Sequence, residues 1–142
     1  MTEHIRSLSI ADYAAAIELW RKTEGIGLND ADTEAGVRAF LERNPGMSAV
    51  AVAESGALVG AVLCGHDGRR GYLHHLAVDR AHRNQGIAAR LVARCLERLA
   101  AERILKCNVF LYSDNRAGAA FWQHMGFLPR SDLRVFQKVI GG

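Results

Sequence analysis

Proline is scarce in this chain of 142 residues, with two in all. Neither opens a Pro-rich or low-complexity stretch, so nothing reads as a linker between domains. Cysteine is nearly as rare: Cys64, Cys95 and Cys107 lie far apart, among apolar neighbours and without CxxC spacing. An odd number so spaced suits neither a disulfide framework nor a zinc site, and no metal is expected; the three read as buried free thiols. No run of 18 apolar residues occurs, which leaves out a membrane-spanning helix, and no basic start leads into a long apolar stretch. The expected setting is cytoplasmic, with no membrane partner. Charge of one sign is lacking as well: 18 Lys and Arg against 15 Asp and Glu leave a formal +3. The basic residues are spread over helix faces and turns without aromatic platforms, so no nucleic-acid partner is expected, although an anionic small ligand would suit the balance.

Apolar residues are plentiful, at 49%, enough to bury the core of one domain spanning residues 1–142. "HIRSL" reads as a strand. "SIADYAAAIELWRK" reads as a helix, with Ser9 and Asp12 as a capping box and Ile10, Tyr13, Ile17 and Trp20 at helical spacing. A loop, "TEGIGLNDADT", precedes a second helix through Val37, Phe40 and Leu41 that stops at "RNPG". "MSAVAVAE", "ALVGAVLCGH" and "GYLHHLAV", separated by tight-turn sequences, predict an antiparallel meander. Next comes a long amphipathic helix, with Ile87, Leu91, Val92, Cys95, Leu96 and Leu99 inward and Arg90, Arg94, Glu97 and Arg98 toward water. "KCNVFLY" then predicts a strand parallel to the one before the helix, "NRAGAAFWQHMGF" a short helix ending at Gly126, and "LRVFQKVI" a closing strand.

The start of the long helix carries the chemistry. "RNQGIA" places Gly86 where a strand hands over to a helix whose first N–H groups have no partner inside the helix, and such a turn binds anions. Gly86 lets the backbone approach a phosphate, Ala88 keeps that approach open, and Arg83 adds charge. The pattern is neither a dinucleotide fingerprint nor a Walker A loop.

"HLAVDRAHRNQGIA", followed by "SDNRAGAAFWQHMGF", resembles the GNAT family of N-acetyltransferases, over nearly the whole chain. The implied fold is α/β with mixed α+β character: a central mixed, mostly antiparallel sheet with a splayed parallel strand pair and flanking helices. The implied activity is transfer of the acetyl group of acetyl-CoA to a primary amine, by direct attack in a ternary complex. On this resemblance Arg83 and Asn84, Gln85, Gly86, Ile87, Ala88 and Ala89 hold the pyrophosphate. The backbone of Leu76, Ala77 and Val78 pairs with the pantetheine arm and polarises the acetyl carbonyl. Asn115 opens the next helix near the cofactor. A dimer is implied by analogy, with "LRVFQKVI" exchanging or pairing across a two-fold axis.

The sequence departs from the family where protons are handled. Trp122 stands where many members place the tyrosine that protonates the leaving thiolate, and an indole N–H is too weak an acid for that role. Core packing or a wall of the acceptor pocket suits Trp122 better. Tyr112 is the substitute donor, although a thiolate of pKa about 8.5 needs little help. No glutamate occurs on "GYLHH". Adjacent strand residues point to opposite faces, which puts Tyr72, His74, Leu76 and Val78 together and makes His74 the candidate base, with Glu24 and Asp30 as alternatives. Glu24, Asp30 and Asp32 would also attract a cationic acceptor, a small-molecule or peptide amine. The competing reading is an acyl-CoA-binding sensor with little turnover.

Overall fold

The computed structural model describes residues 3–141. The chain divides into two compact units, Met1–Phe110 and Leu111–Gly142. In chain order the first unit holds β1 (His4–Ser7), α1 (Tyr13–Arg21), α2 (Glu34–Arg43), β2 (Ala49–Val52), β3 (Leu58–His66), β4 (Gly71–Val78), α3 (Ile87–Ala101) and β5 (Cys107–Val109). The five strands lie in the order β1-β2-β3-β4-β5, antiparallel except for the parallel pair β4 and β5. This is the mixed, mostly antiparallel sheet that the meander and the crossover helix predict.

Local chemistry sets the helix ends. The Ser9 N–H donates to Asp12 Oδ2 at 2.9 Å, opening a 3-10 turn that runs into α1. Thr33 Oγ1 accepts from the Gly36 N–H at the start of α2. At its end Asn44 Oδ1 accepts from the His66 N–H at 3.0 Å, which ties α2 to the far end of β3. Both helices cover one face of the sheet, where Ile17, Leu19, Trp20 and Val37 pack with Val50, Ala61, Leu63 and Ala77. On the other face α3 buries Ile87, Leu91, Val92, Cys95 and Leu99, each worth about 1.5–3 kcal/mol for a large aliphatic side chain. Strands β3 and β4 carry glycine beneath it: a Cβ on Gly60 would lie 3.1 Å from Leu91, and one on Gly71 2.7 Å from Leu99.

Three side-chain expectations are corrected. Leu96 is only half-buried. Arg90 and Arg94 do not face water: they fold toward the first strand, where Arg94 Nη2 donates to Ser7 Oγ at 2.9 Å and Arg90 Nη2 to the Glu3 carbonyl at 3.2 Å. Their long stems let charged heads reach polar groups at the sheet edge. Cys64 and Cys95 are buried, whereas Cys107 is half-exposed on the short edge strand.

Strand β4 departs from regular alternation. Ala61 pairs with Ala77 and Leu63 with His74, so two steps along β3 match three along β4. The extra residue is accommodated at His75, whose φ of +56° lies in the left-handed region. Before this bulge Gly71 and Leu73 face α3; after it Ala77, at the same parity, faces α1 instead. The pairing of β4 with β5 covers Gly71, Tyr72 and Leu73 and ends there.

In the second unit α4 (Arg116–His124) forms as predicted, capped by Asn115 Oδ1, which accepts from the Gly118 N–H at 2.8 Å. Gly126 follows at φ +93°. The closing strand predicted for "LRVFQKVI" does not form. Its apolar residues Leu133, Val135, Phe136, Val139 and Ile140 are 60% to 95% exposed. Alternation breaks at Val135–Phe136 and again at Val139–Ile140, and no other strand lies among the described residues of this unit to supply a ladder.

Candidate active site

The end of β4, the turn after it and the first turn of α3 form one continuous surface. The Asp79 N–H donates to the Val59 carbonyl at 2.7 Å, and Asp79 Oδ2 accepts from the Ala81 N–H at 3.3 Å, which winds Arg80–His82 into a 3-10 turn. The chain then passes through two left-handed residues, Asn84 at φ +64° and Gly86 at φ +79°. Asn84, Gln85 and Gly86 are exposed, Ile87 is buried under the helix, and Ala88 and Ala89 are half-buried. No side chain caps the N-terminus of α3, and a Cβ on Gly86 would meet nothing within 4 Å. These features leave amide donors and a positive dipole end open to an anion at a backbone that can be closely approached.

Arg83 braces this turn. Its Nε donates to the Val78 carbonyl at 3.0 Å, and its Nη1 lies 2.7 Å from Glu24 Oε1. Arg80 Nη2 reaches the other oxygen of Glu24 at 3.2 Å, and Lys22 Nζ lies 3.4 Å from Asp79. Glu24 thus spans two arginines beside the turn. Its own backbone N–H first, then Arg83, hold its carboxyl below the usual carboxylate range. Asp30 is exposed. Asp32, from the same loop, is buried at 7% exposure and bonds to His75, with Oδ1 2.9 Å from the ring Nε2.

The bulge overturns the expectation that His74 and His75 point to opposite faces. Both rings lie toward α1 and α2: His74 meets Phe40 of α2 edge-on at 6.0 Å, and His75 lies tilted against Trp20 of α1 at 5.3 Å. Tyr72 and His74 share that face, stacked at 6.2 Å, but the shifted phase removes Leu76 and Val78 from it. Phe110 adds a ring 5.9 Å from Tyr72 and 6.4 Å from His74. Burial first, then the neighbouring His75, pushes the His74 imidazole below its ordinary value, against a smaller opposing pull from Asp32. This shift favours the neutral imidazole, the form a proton acceptor needs.

The remaining candidates belong to the second unit. Tyr112 is 61% exposed. Asn115 caps α4, and its side chain is committed to that bond. Trp122 is half-buried and meets Phe121 and Phe127 edge-on, with ring centroids at 5.1 Å and 4.9 Å. Among the described residues no group of three His, Cys, Asp or Glu converges as a metal site would need, and no helix is long and apolar enough to cross a membrane.

The description "Acetyltransferase (GNAT) family" belongs to the family model that matches residues 13–127. The chain belongs to the GNAT family. It is 28% identical over 136 residues to an acetyltransferase of Yersinia enterocolitica, covering 96% of this chain and 95% of that one. Among solved structures, Ard1 from Thermoplasma volcanium superposes with a TM-score of 0.81 at 18% identity, over 92% of this chain and 86% of the other. A chain of the NatC complex bound to Gag peptide and CoA does so with a TM-score of 0.80 at 22% identity, over 92% and 87%. The protein is an acyltransferase with a GNAT fold.

Within this GNAT chain, sequence reading missed three features. The pairing of Asp32 with His75 joins residues 43 positions apart, and the Glu24 clasp joins residues 56 and 59 apart. No local spacing announces either. The aromatic group of Phe40, Tyr72, His74 and Phe110 draws on α2, β4 and the residue that follows β5; the polar and aromatic parity of "YLH" was its one visible sign.

Proposed function

We propose that this GNAT protein transfers the acetyl group of acetyl-CoA to a primary amine, on a small molecule or a peptide, by direct attack in a ternary complex. The observation that supports it most is the uncapped start of α3 behind left-handed Asn84 and Gly86, with Arg83 beside it. An anion fits there, because a Cβ-free, open backbone faces it. Acetyl-CoA supplies an activated thioester when bound. Arg83 and residues Asn84, Gln85, Gly86, Ile87, Ala88 and Ala89 bind its pyrophosphate. The backbone of Leu76, Ala77 and Val78, past the point where β5 leaves β4, orients the acyl arm and stabilises developing negative charge with N–H groups. His74, whose neutral form burial favours, accepts the proton that the attacking amine loses, directly or through water. The acceptor lies against the face that carries Tyr72, His74, Phe40 and Phe110, with Asp30 as a further contact. Two copies form the working molecule, and its place is the cytoplasm.

Calorimetric titration with acetyl-CoA, beside desulfo-CoA and ATP, tests the cofactor part. Tight binding selective for the CoA scaffold is expected; no binding overturns it. An amine screen for CoA release then tests transfer.

A further inference from the structure

The bulge in β4 is held by a side chain from another part of the chain. His75 adopts a left-handed φ of +56° in the middle of a strand, a conformation that a strand residue keeps only when its surroundings impose it. Its ring nitrogen Nε2 lies 2.9 Å from Asp32 Oδ1, and the two side chains are 15% and 7% exposed. Asp32 is itself fixed before it reaches His75. Its Oδ2 accepts from the Asn29 N–H at 3.0 Å, and its carbonyl accepts from the Tyr13 hydroxyl at 2.6 Å. The imidazole also lies tilted against Trp20, which is fully buried, with ring centroids 5.3 Å apart.

We infer that the His75–Asp32 pair is a positioning latch for acyl transfer: it fixes the register of the β4 bulge, and so the orientation of His74 on one side and of the Leu76–Val78 backbone on the other. This rests on the acetyl-transfer reading above. The physical argument is the two-residue period of a strand. If His75 relaxes to extended backbone, the extra residue has to be absorbed elsewhere, and neighbouring residues turn toward the opposite face. His74 then leaves the aromatic group it shares with Tyr72 and Phe40, and the backbone groups beyond it turn with it. The same pair pins the end of the loop between α1 and α2 to the strand, since Asp32 closes the last turn of that loop. The pyrophosphate turn meets this linkage at its margin, where Arg83 Nε donates to the Val78 carbonyl and Arg83 Nη1 pairs with Glu24 of the same loop, while its own amides are held by α3; turnover should therefore respond more strongly than cofactor affinity.

Three substitutions separate the latch from simple stability. In His75→Gln the amide nitrogen takes the place of Nε2 and still donates to Asp32. In His75→Asn the side chain is too short to reach, while asparagine tolerates the left-handed backbone. In His75→Gly the backbone is relieved and the side chain removed. The expected result is a kcat at least about 10-fold lower in the Asn and Gly variants, with acetyl-CoA Kd changing by a smaller factor than kcat, and kcat within about threefold in the Gln variant. Wild-type kcat in folded His75→Gly would overturn the latch. A second readout does not depend on turnover: amide resonances of residues 29–32 and 74–78 in the free protein. All three variants lack the imidazole, so its ring current is absent throughout. The latch predicts that the Gln variant differs from the Gly variant at both segments, and coincident spectra there overturn it. A wild-type protein that acetylates no amine would defeat the functional reading alone, and the spectra would still decide the latch.

Discussion

Gly86 offers a test in which stability and ligand binding can be separated by a matched control. A non-glycine residue held in the left-handed region costs about 1–2 kcal/mol, and at φ +79° Gly86 is in that region. A Cβ there meets no protein atom within 4 Å, so no steric cost adds to the backbone cost. For a chain of this size each kcal/mol lowers Tm by roughly 3 °C, so Gly86→Glu should unfold about 3–6 °C earlier than wild type. Gly56, in the turn between β2 and β3, has φ +91° and equally open surroundings, and Gly56→Glu should lose a similar amount. The variants differ in what the new carboxylate faces. At about 5 Å from one phosphate charge it costs about 1–3 kcal/mol, taking an effective dielectric from ~80 down to ~20. Acetyl-CoA affinity should thus fall roughly 5- to 150-fold in Gly86→Glu alone. Calorimetry beside thermal unfolding measures both quantities. Equal Kd values in the two folded variants would refute the placing of the pyrophosphate at this turn.

Other outcomes follow from the same geometry. The depressed imidazole of His74 places the acid limb of kcat/KM below the ordinary histidine value of about 6.5, with activity lost as pH falls through it. The stability term has the same sign, since the unfolded chain takes up that proton more readily than the folded one; a limb that persists in His74→Gln would refute the assignment. Glu24→Gln should tighten acetyl-CoA binding by freeing Arg80 and Arg83, and leave KM for the amine unchanged; weaker cofactor binding would show that the clasp organises the site instead. Ser48→Ala should cost about 1–3 kcal/mol in denaturant unfolding, because the buried Ser48 Oγ accepts from the Cys64 N–H at 2.9 Å and donates to its carbonyl.

The parts of the fold written in local chemistry were legible in the sequence. The Ser9–Asp12 box, the "RNPG" stop, the apolar stripe of α3 and the turn sequences between strands each specify their element by nearest neighbours, and the parallel crossover follows from their order. The anion-binding turn was legible for the same reason: Gly86 sits where a strand ends and a helix begins. Strict alternation failed on "GYLHHLAV" because of the bulge at His75, whose ring bonds to Asp32, 43 positions away and invisible to local spacing. Glu24 read as an acid awaiting a cation, and it has two, both from this chain. "LRVFQKVI" has strand-like residues, but a strand requires a partner as well as a propensity.

The ladder between β4 and β5 has a consequence for motion. It comprises three residue pairs, against four between β1 and β2 and six between β3 and β4. Local opening is cheapest where the fewest backbone bonds must break, so β5 is the strand that frays first, and it borders the candidate site. The fold is thus firm where the helices cover the sheet and loosest at the margin where ligands must come and go. An extended ligand seated beside β4 would act as a splint on that margin, and slowed exchange of the Cys107–Val109 amides would report its arrival before any chemistry takes place.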